Sequence, residues 1–163
     1  ESTPAFLTLL MMRLVKMPEV AERLRQDPAL IPVFVEEVLR LDGPVQGVFR
    51  TNRQETVLHG TDIPEESKLQ ILFAAANRDP EVFDNPDEFS IDRDLADLKR
   101  KNFGFGIGIH FCIGGPVARI EGEVAVRHML KMGDVELAGE PEFVSAFILR
   151  GYSSLPIRWS LAE

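Results

Sequence analysis

The sequence predicts a mainly α protein with small β-sheets, an α+β chain whose core is carried by helices. Apolar residues recur at helical spacing in the first 41 residues and again after the single cysteine. Residues 45–73 and 134–159, by contrast, hold only short apolar runs cut by turn residues. At 163 residues the chain is long enough for one domain with a substantial core. Its 45% hydrophobic and 27% charged residues are ordinary for a globular protein. No repeat, low-complexity segment or linker divides it, so residues 1–163 read as one unit.

In chain order, residues 4–16 read as a helix apolar on nearly all sides, which calls for burial by neighbours. Pro18, at a first-turn position, starts a second helix that runs to about residue 26. Asp27-Pro28 breaks the chain before a helix over 32–41. On that helix Phe34, Val38 and Leu41 fall together and Glu36 points away from them. Glu37 and Arg40, three apart, touch on the flank of the stripe, where a half-buried charge needs a fixed partner. Gly43-Pro44 ends the helix. Residues 45–49 are extended and lead to Arg50, and 55–58, 61–64 and 68–73 are strand-like. After the cysteine a helix is expected over 113–131, although Gly115 and Gly122 each cost it roughly 0.5–1 kcal/mol relative to alanine. Runs over 134–137, 145–149 and 155–159, the last ending on Trp159, close the chain as strands.

The net charge of −8 argues against a nucleic-acid partner. One cysteine excludes an internal disulfide and agrees with a reducing, cytoplasmic setting. No signal peptide is visible, and the longest apolar run, residues 5–12, is too short to cross a bilayer. The chain opens without methionine on an apolar helix whose covering layers are not evident. It is therefore read as the C-terminal part of a longer protein.

Residues 102–116 crowd five glycines around Cys112. Glycine loses the most backbone freedom on folding, so such a run implies that the main chain must pass close to something. A phosphate loop fails on spacing, because Phe111 stands where the third glycine is required. Ligand number disfavours zinc, since only His110 accompanies Cys112 and His59 and His128 are unpaired in sequence. Two possibilities stay open: a buried, inert cysteine, and a thiolate raised to ligate a flat macrocycle. The positive end of a following helix favours the thiolate form.

The spacing Phe105-x-x-Gly108-x-x-x-Cys112-x-Gly114 resembles the haem-ligand loop of the cytochrome P450 family, the haem-thiolate monooxygenases. The resemblance runs from Glu1 to Trp159 and implies the C-terminal part of that fold. It makes Cys112 the axial ligand of haem b, with Phe105, Gly106 and Gly114 of the same loop also binding the cofactor, and His110 and Arg50 hydrogen-bonding the propionates. Glu37-x-x-Arg40 matches the family's Glu-x-x-Arg helix, and Arg93 would join both in an ion cluster that locks an irregular meander over 82–94. Residues 74–80 resemble a short helix. Glu66 stands where similar proteins carry glycine. Glu1 and Ser2 fall on the acid and hydroxyl of the distal helix, which relay protons, with Ser2 in place of the usual threonine. Val45, Gln46, Phe147 and Ile148 would line the substrate pocket. The basic run Lys99, Arg100 and Lys101 lies where family members receive electrons from a ferredoxin or flavoprotein, ultimately from NAD(P)H. The implied reaction inserts one atom of O₂ into a small organic substrate. The His110 form of the loop resembles soluble bacterial members. The rival expectations are a truncated, non-catalytic fragment acting at most as an interaction domain, and a haem-binding carrier or sensor.

Overall fold

A computed structural model of the chain describes residues 1–160. Helix α1, Ser2–Lys16, buries Phe6, Leu9, Leu10, Met12 and Leu14. It is followed by α2, Pro18–Gln26, a 3-10 turn at Pro28–Leu30, and α3, Ile31–Asp42. Strands β1, Val48–Thr51, β2, Thr56–Leu58, β3, Thr61–Ile63, and β4, Lys68–Ile71, make two antiparallel pairs, β1 with β4 and β2 with β3. After α4, Phe73–Ala76, the chain runs without regular structure to α5, Leu95–Lys101, and then through the cysteine loop to α6, Gly115–Met129. Strands β5, Val135–Leu137, β6, Glu142–Phe143, β7, Tyr152–Ser154, and β8, Ile157–Trp159, pair β5 with β8 and β6 with β7, both antiparallel. Among the described residues no helix is long and apolar enough to cross a membrane.

The core lies between α1, α3 and α6. Burying side chains of this size contributes about 1.5–3 kcal/mol each, and that sum, more than helix propensity, holds the three together. The apolar surface of α1 is thus covered by this chain's own α3, α6, β5 and β7, contrary to the expectation that its covering layers were missing. The uncovered apolar surface lies elsewhere. Val117, Ile120 and Val124 stand on the exposed side of α6, with Ile113 just before its first turn; Ile113 is 97% and Ile120 63% exposed.

Gly122 is the contact point of this packing. A Cβ there would lie 2.9 Å from Phe6 Cε1 and 3.3 Å from Val35 Cγ1, so the residue expected only to weaken α6 is what lets it approach α1 and α3. Helix α6 also starts two residues later than expected. Pro116 sits in its first turn, and Gly115 N–H closes a turn on the Cys112 carbonyl at 3.0 Å. The expected strand over 145–149 does not form. Ala146 N–H bonds back to Val144 O at 3.0 Å, which turns the chain, and only Leu149 makes a bridge, to Val45.

Glu66 has φ of +62°, the left-handed region that costs an L residue roughly 1–2 kcal/mol. It is exposed, so replacement by glycine removes the strain without losing a packed side chain. Glu66→Gly is expected to raise Tm by about 2–4 °C, a shift that corresponds to ~1 kcal/mol in a chain of this size and is measurable by calorimetry.

Candidate haem cradle

Two neighbouring carboxylates on α3 organise the loops around it. Glu37 and Arg40 are completely buried, not half buried, and Arg40 Nε and Nη2 donate to Glu37 at 2.8 Å each. Arg93 Nε donates to Glu37 Oε1 at 2.9 Å, as does Ser90 N–H at 3.1 Å. The spare guanidinium donors hold the meander by its carbonyls. Arg40 reaches Pro86 and Glu88 there, and Asn77 at the end of α4, and Arg93 reaches Asp84, Asn85 and Glu88. A buried carboxylate this well matched is tolerated because both of its oxygens accept, four hydrogen bonds in all. Glu36, expected to point away from the core, is also buried, at 1% exposed. It accepts from Arg119 of α6 and from Asn102. An isolated wheel of α3 cannot reveal this, because both partners come from more than 60 residues away.

Above α3 lies a cavity of about 290 Å³, near the lower end of small-molecule sites. Phe6, Leu39 and Phe73 contribute apolar wall, and Ala118 comes from α6. The cysteine loop forms one side: Phe105, Gly106, His110 and Cys112 all line it. Gly106 and Gly108 have φ of +70° and +68°. This left-handed geometry is open to glycine at no steric cost, and it lets the loop fold over so that Cys112 N–H reaches Phe105 O at 2.9 Å. The Cys112 thiol is exposed. Arg50, carried by β1, also lines it, as do Val45, Ser2 and Thr3. Residues 2, 50, 110 and 112 thus face one space although the sequence separates them widely. Glu1, Gly114, Gln46, Phe147 and Ile148 are not part of the lining. Gln46 turns its amide back to Gly43 O at 2.6 Å, its N–H pairs with Ile148 O at 2.9 Å, and Phe147, 79% exposed, stacks on Phe49 at 6.3 Å.

The electrostatics of the cavity are those of an anion site with apolar walls. Neither Arg50 nor His110 forms an ion pair among the described residues, and Arg50 donates only to the Phe49 carbonyl at 3.0 Å. Lys99, Arg100 and Lys101 lie on α5 outside the cavity. Asp97 pairs with both Arg100 and Lys101, the latter at 2.7 Å, and the Lys101 ammonium, with the Arg100 guanidinium, holds the Asp97 carboxyl below the usual carboxylate range. Two of the three basic side chains are therefore paired within their own helix, with one carboxylate offsetting one of their charges.

A single soft sulfur ligand, apolar walls and two uncommitted cationic or N–H donor groups on the rim fit an iron macrocycle bearing carboxylates, the donor set of a haem-thiolate protein. The pattern described as Cytochrome P450 matches residues 2–148. The chain is 37% identical over 150 residues to cytochrome P450-terp of a Pseudomonas species, covering 91% of this chain and 34% of that protein. It is 39% identical over 146 residues to cytochrome P450 CYP199A2 of Rhodopseudomonas palustris, covering 89% and 34%. Mycobacterium marinum cytochrome P450 CYP150A6 in the substrate-free form superposes with a TM-score of 0.92 at 36% identity, over 100% of this chain and 42% of that one. The chain belongs to the cytochrome P450 family, and its fold is the C-terminal part of the cytochrome P450 fold. It spans about a third of the length of these curated relatives.

Proposed function

We propose that residues 1–163 are the C-terminal portion of a single cytochrome P450 domain that binds haem b and acts in the cytoplasm as a monooxygenase on a small organic substrate. The observation that carries this is the meeting of Cys112, His110, Arg50 and Ser2 around one apolar cavity. Haem, when bound, supplies the redox centre at which one atom of O₂ is inserted into the substrate and the other leaves as water, with two electrons drawn ultimately from NAD(P)H. Cys112 would hold the iron through its thiolate, at the close of a loop that Gly106 and Gly108 allow to turn. Arg50 and the His110 ring would donate N–H groups to the carboxylates of a bound haem. Phe73 and Phe105 line the cavity with apolar surface, which would keep water from a bound cofactor and strengthen every polar interaction inside. The Ser2 hydroxyl, with the Glu1 carboxylate beside it in sequence, holds and passes a proton at the start of α1. Val45 supplies apolar contact for the substrate, with Gln46, Phe147 and Ile148 forming the strand edge behind it.

A ferredoxin or flavoprotein electron donor docks at Lys99, Arg100 and Lys101. Asp97 pairs with two of these side chains and offsets one positive charge, so Asp97→Asn is expected to speed association with an acidic ferredoxin severalfold at low salt by electrostatic steering. The gain vanishes near 1 M salt, where screening acts within about 3 Å; stopped-flow mixing reads both. Haem titration of the chain tests the reading itself. Saturation at one haem per chain supports it. The uncovered stripe of α6 favours the alternative of a truncated, non-catalytic fragment acting at most as an interaction domain, and a titration without saturation would support that alternative.

A further inference from the structure

Glu36 is a buried carboxylate that neither the cofactor nor the meander uses. It lies on α3 one residue before Glu37, so the two side chains leave the helix about 100° apart. Glu37 faces the meander, whereas Glu36 faces the cysteine loop. Arg119 of α6 donates to it through Nε, and Arg119 also covers the Phe105 ring at 4.6 Å. Asn102 Nδ2 donates both to the Glu36 carboxylate at 3.2 Å and to the Glu36 carbonyl at 3.1 Å. Asn102 Oδ1 accepts from Gly104 N–H at 2.8 Å and from Asn77 Nδ2 at 3.1 Å, and Asn77 Oδ1 accepts from Phe103 N–H at 2.7 Å. Both donors and the acceptor oxygen of the Asn102 amide are thus engaged.

We propose that Glu36, Asn77, Asn102 and Arg119 form a positioning clamp that fixes the cysteine loop over α3 at both of its ends. The first end is held at Phe103 and Gly104 by the two amides, and the second at α6 by Arg119. Both converge on one carboxylate. Between these anchors the described loop bonds only to itself, through Gly106 to Phe103, Phe111 to Gly108 and Cys112 to Phe105, and two of its residues have positive φ. Its height above the cavity floor therefore follows from the clamp. A fully satisfied buried network is rigid, and a partly satisfied one is not. The four are positioning residues, since none of them lines the cavity.

The proposal rests on the haem reading for its consequence but is tested first without haem, by amide hydrogen exchange on the 163-residue chain. Asn102→Ala is expected to speed exchange at Phe103, Gly104 and Cys112 about tenfold, the scale of one lost buried hydrogen bond, while amides of α3 and of β1 and β4 change less than about threefold. Arg93→Lys, which touches only the meander side, leaves the three loop amides unchanged. Where Asn102→Ala does not fold, Arg119→Lys is read in its place with the same expectation at Cys112. Loop amides that stay protected, or that speed up only in step with the α3 core, overturn the clamp. In haem-loaded protein the same variants are expected to shift the reduction potential and Soret position without abolishing haem uptake. Failure to bind haem leaves the exchange result standing and sinks only the cofactor reading.

Discussion

Glu37→Ala is expected to unfold this chain or bring it to the edge of unfolding. The substitution leaves the Arg40 guanidinium, 1% exposed, without its carboxylate, and removes the acceptor for Arg93 Nε and Ser90 N–H. Stranding one partner of a buried pair costs about 3–5 kcal/mol, against a total stability of roughly 5–15 kcal/mol for a domain. The loss also spreads. Arg40 and Arg93 hold six carbonyl contacts on residues 77–88, so the meander detaches from α3 before the helices separate. Denaturant titration is expected to show the midpoint falling with a lowered m-value, because part of the surface is already exposed. An unchanged midpoint would mean that Arg40 finds water or another acceptor, and the buried cluster would then contribute little.

The second large effect is at the crossing of α1 and α6. Phe6 is buried against the face of α6 that Gly122 leaves open, and Phe6→Ala is expected to cost about 3–5 kcal/mol through lost burial and the resulting void. Gly122→Ala errs the other way. Its Cβ would sit 2.9 Å from the Phe6 ring, and overpacking of this kind costs about 1–3 kcal/mol, more than the ~0.5–1 kcal/mol gained in helix propensity. The two sites are in contact, so Gly122→Ala combined with Phe6→Leu is expected to be more stable than the sum of the single changes, a coupling that a double-mutant cycle measures. Strict additivity would show that the glycine is not needed for the helix approach.

These sites mark how much was legible in the sequence. The helices of the first 42 residues and the short strands after Val45 follow from local periodicity and turn residues, and the structure places them within a residue or two of the expected ends apart from the first extended run. The grouping of Cys112 with His110 is local and could be read directly. What could not be read depends on distant partners. Glu36 looks like a solvated residue until Arg119 and Asn102 arrive, and Gly122 looks like a weak point until Phe6 and Val35 close on it. Residues 145–149 carry strand-like composition, but the turn at Val144 to Ala146 and the contact with residues 44–46 decide their course. Thr3 and Phe73 enter the cavity from elements whose local patterns speak only of packing.

The measurement that bears most directly on the central claim is the visible spectrum of the haem-reconstituted chain after reduction under carbon monoxide. A thiolate bond from Cys112 is expected to give the red-shifted Soret band, and Cys112→Ala is expected to lose it while Arg50→Ala keeps the band and weakens haem binding. The same red-shifted band in Cys112→Ala would contradict sulfur ligation from this residue.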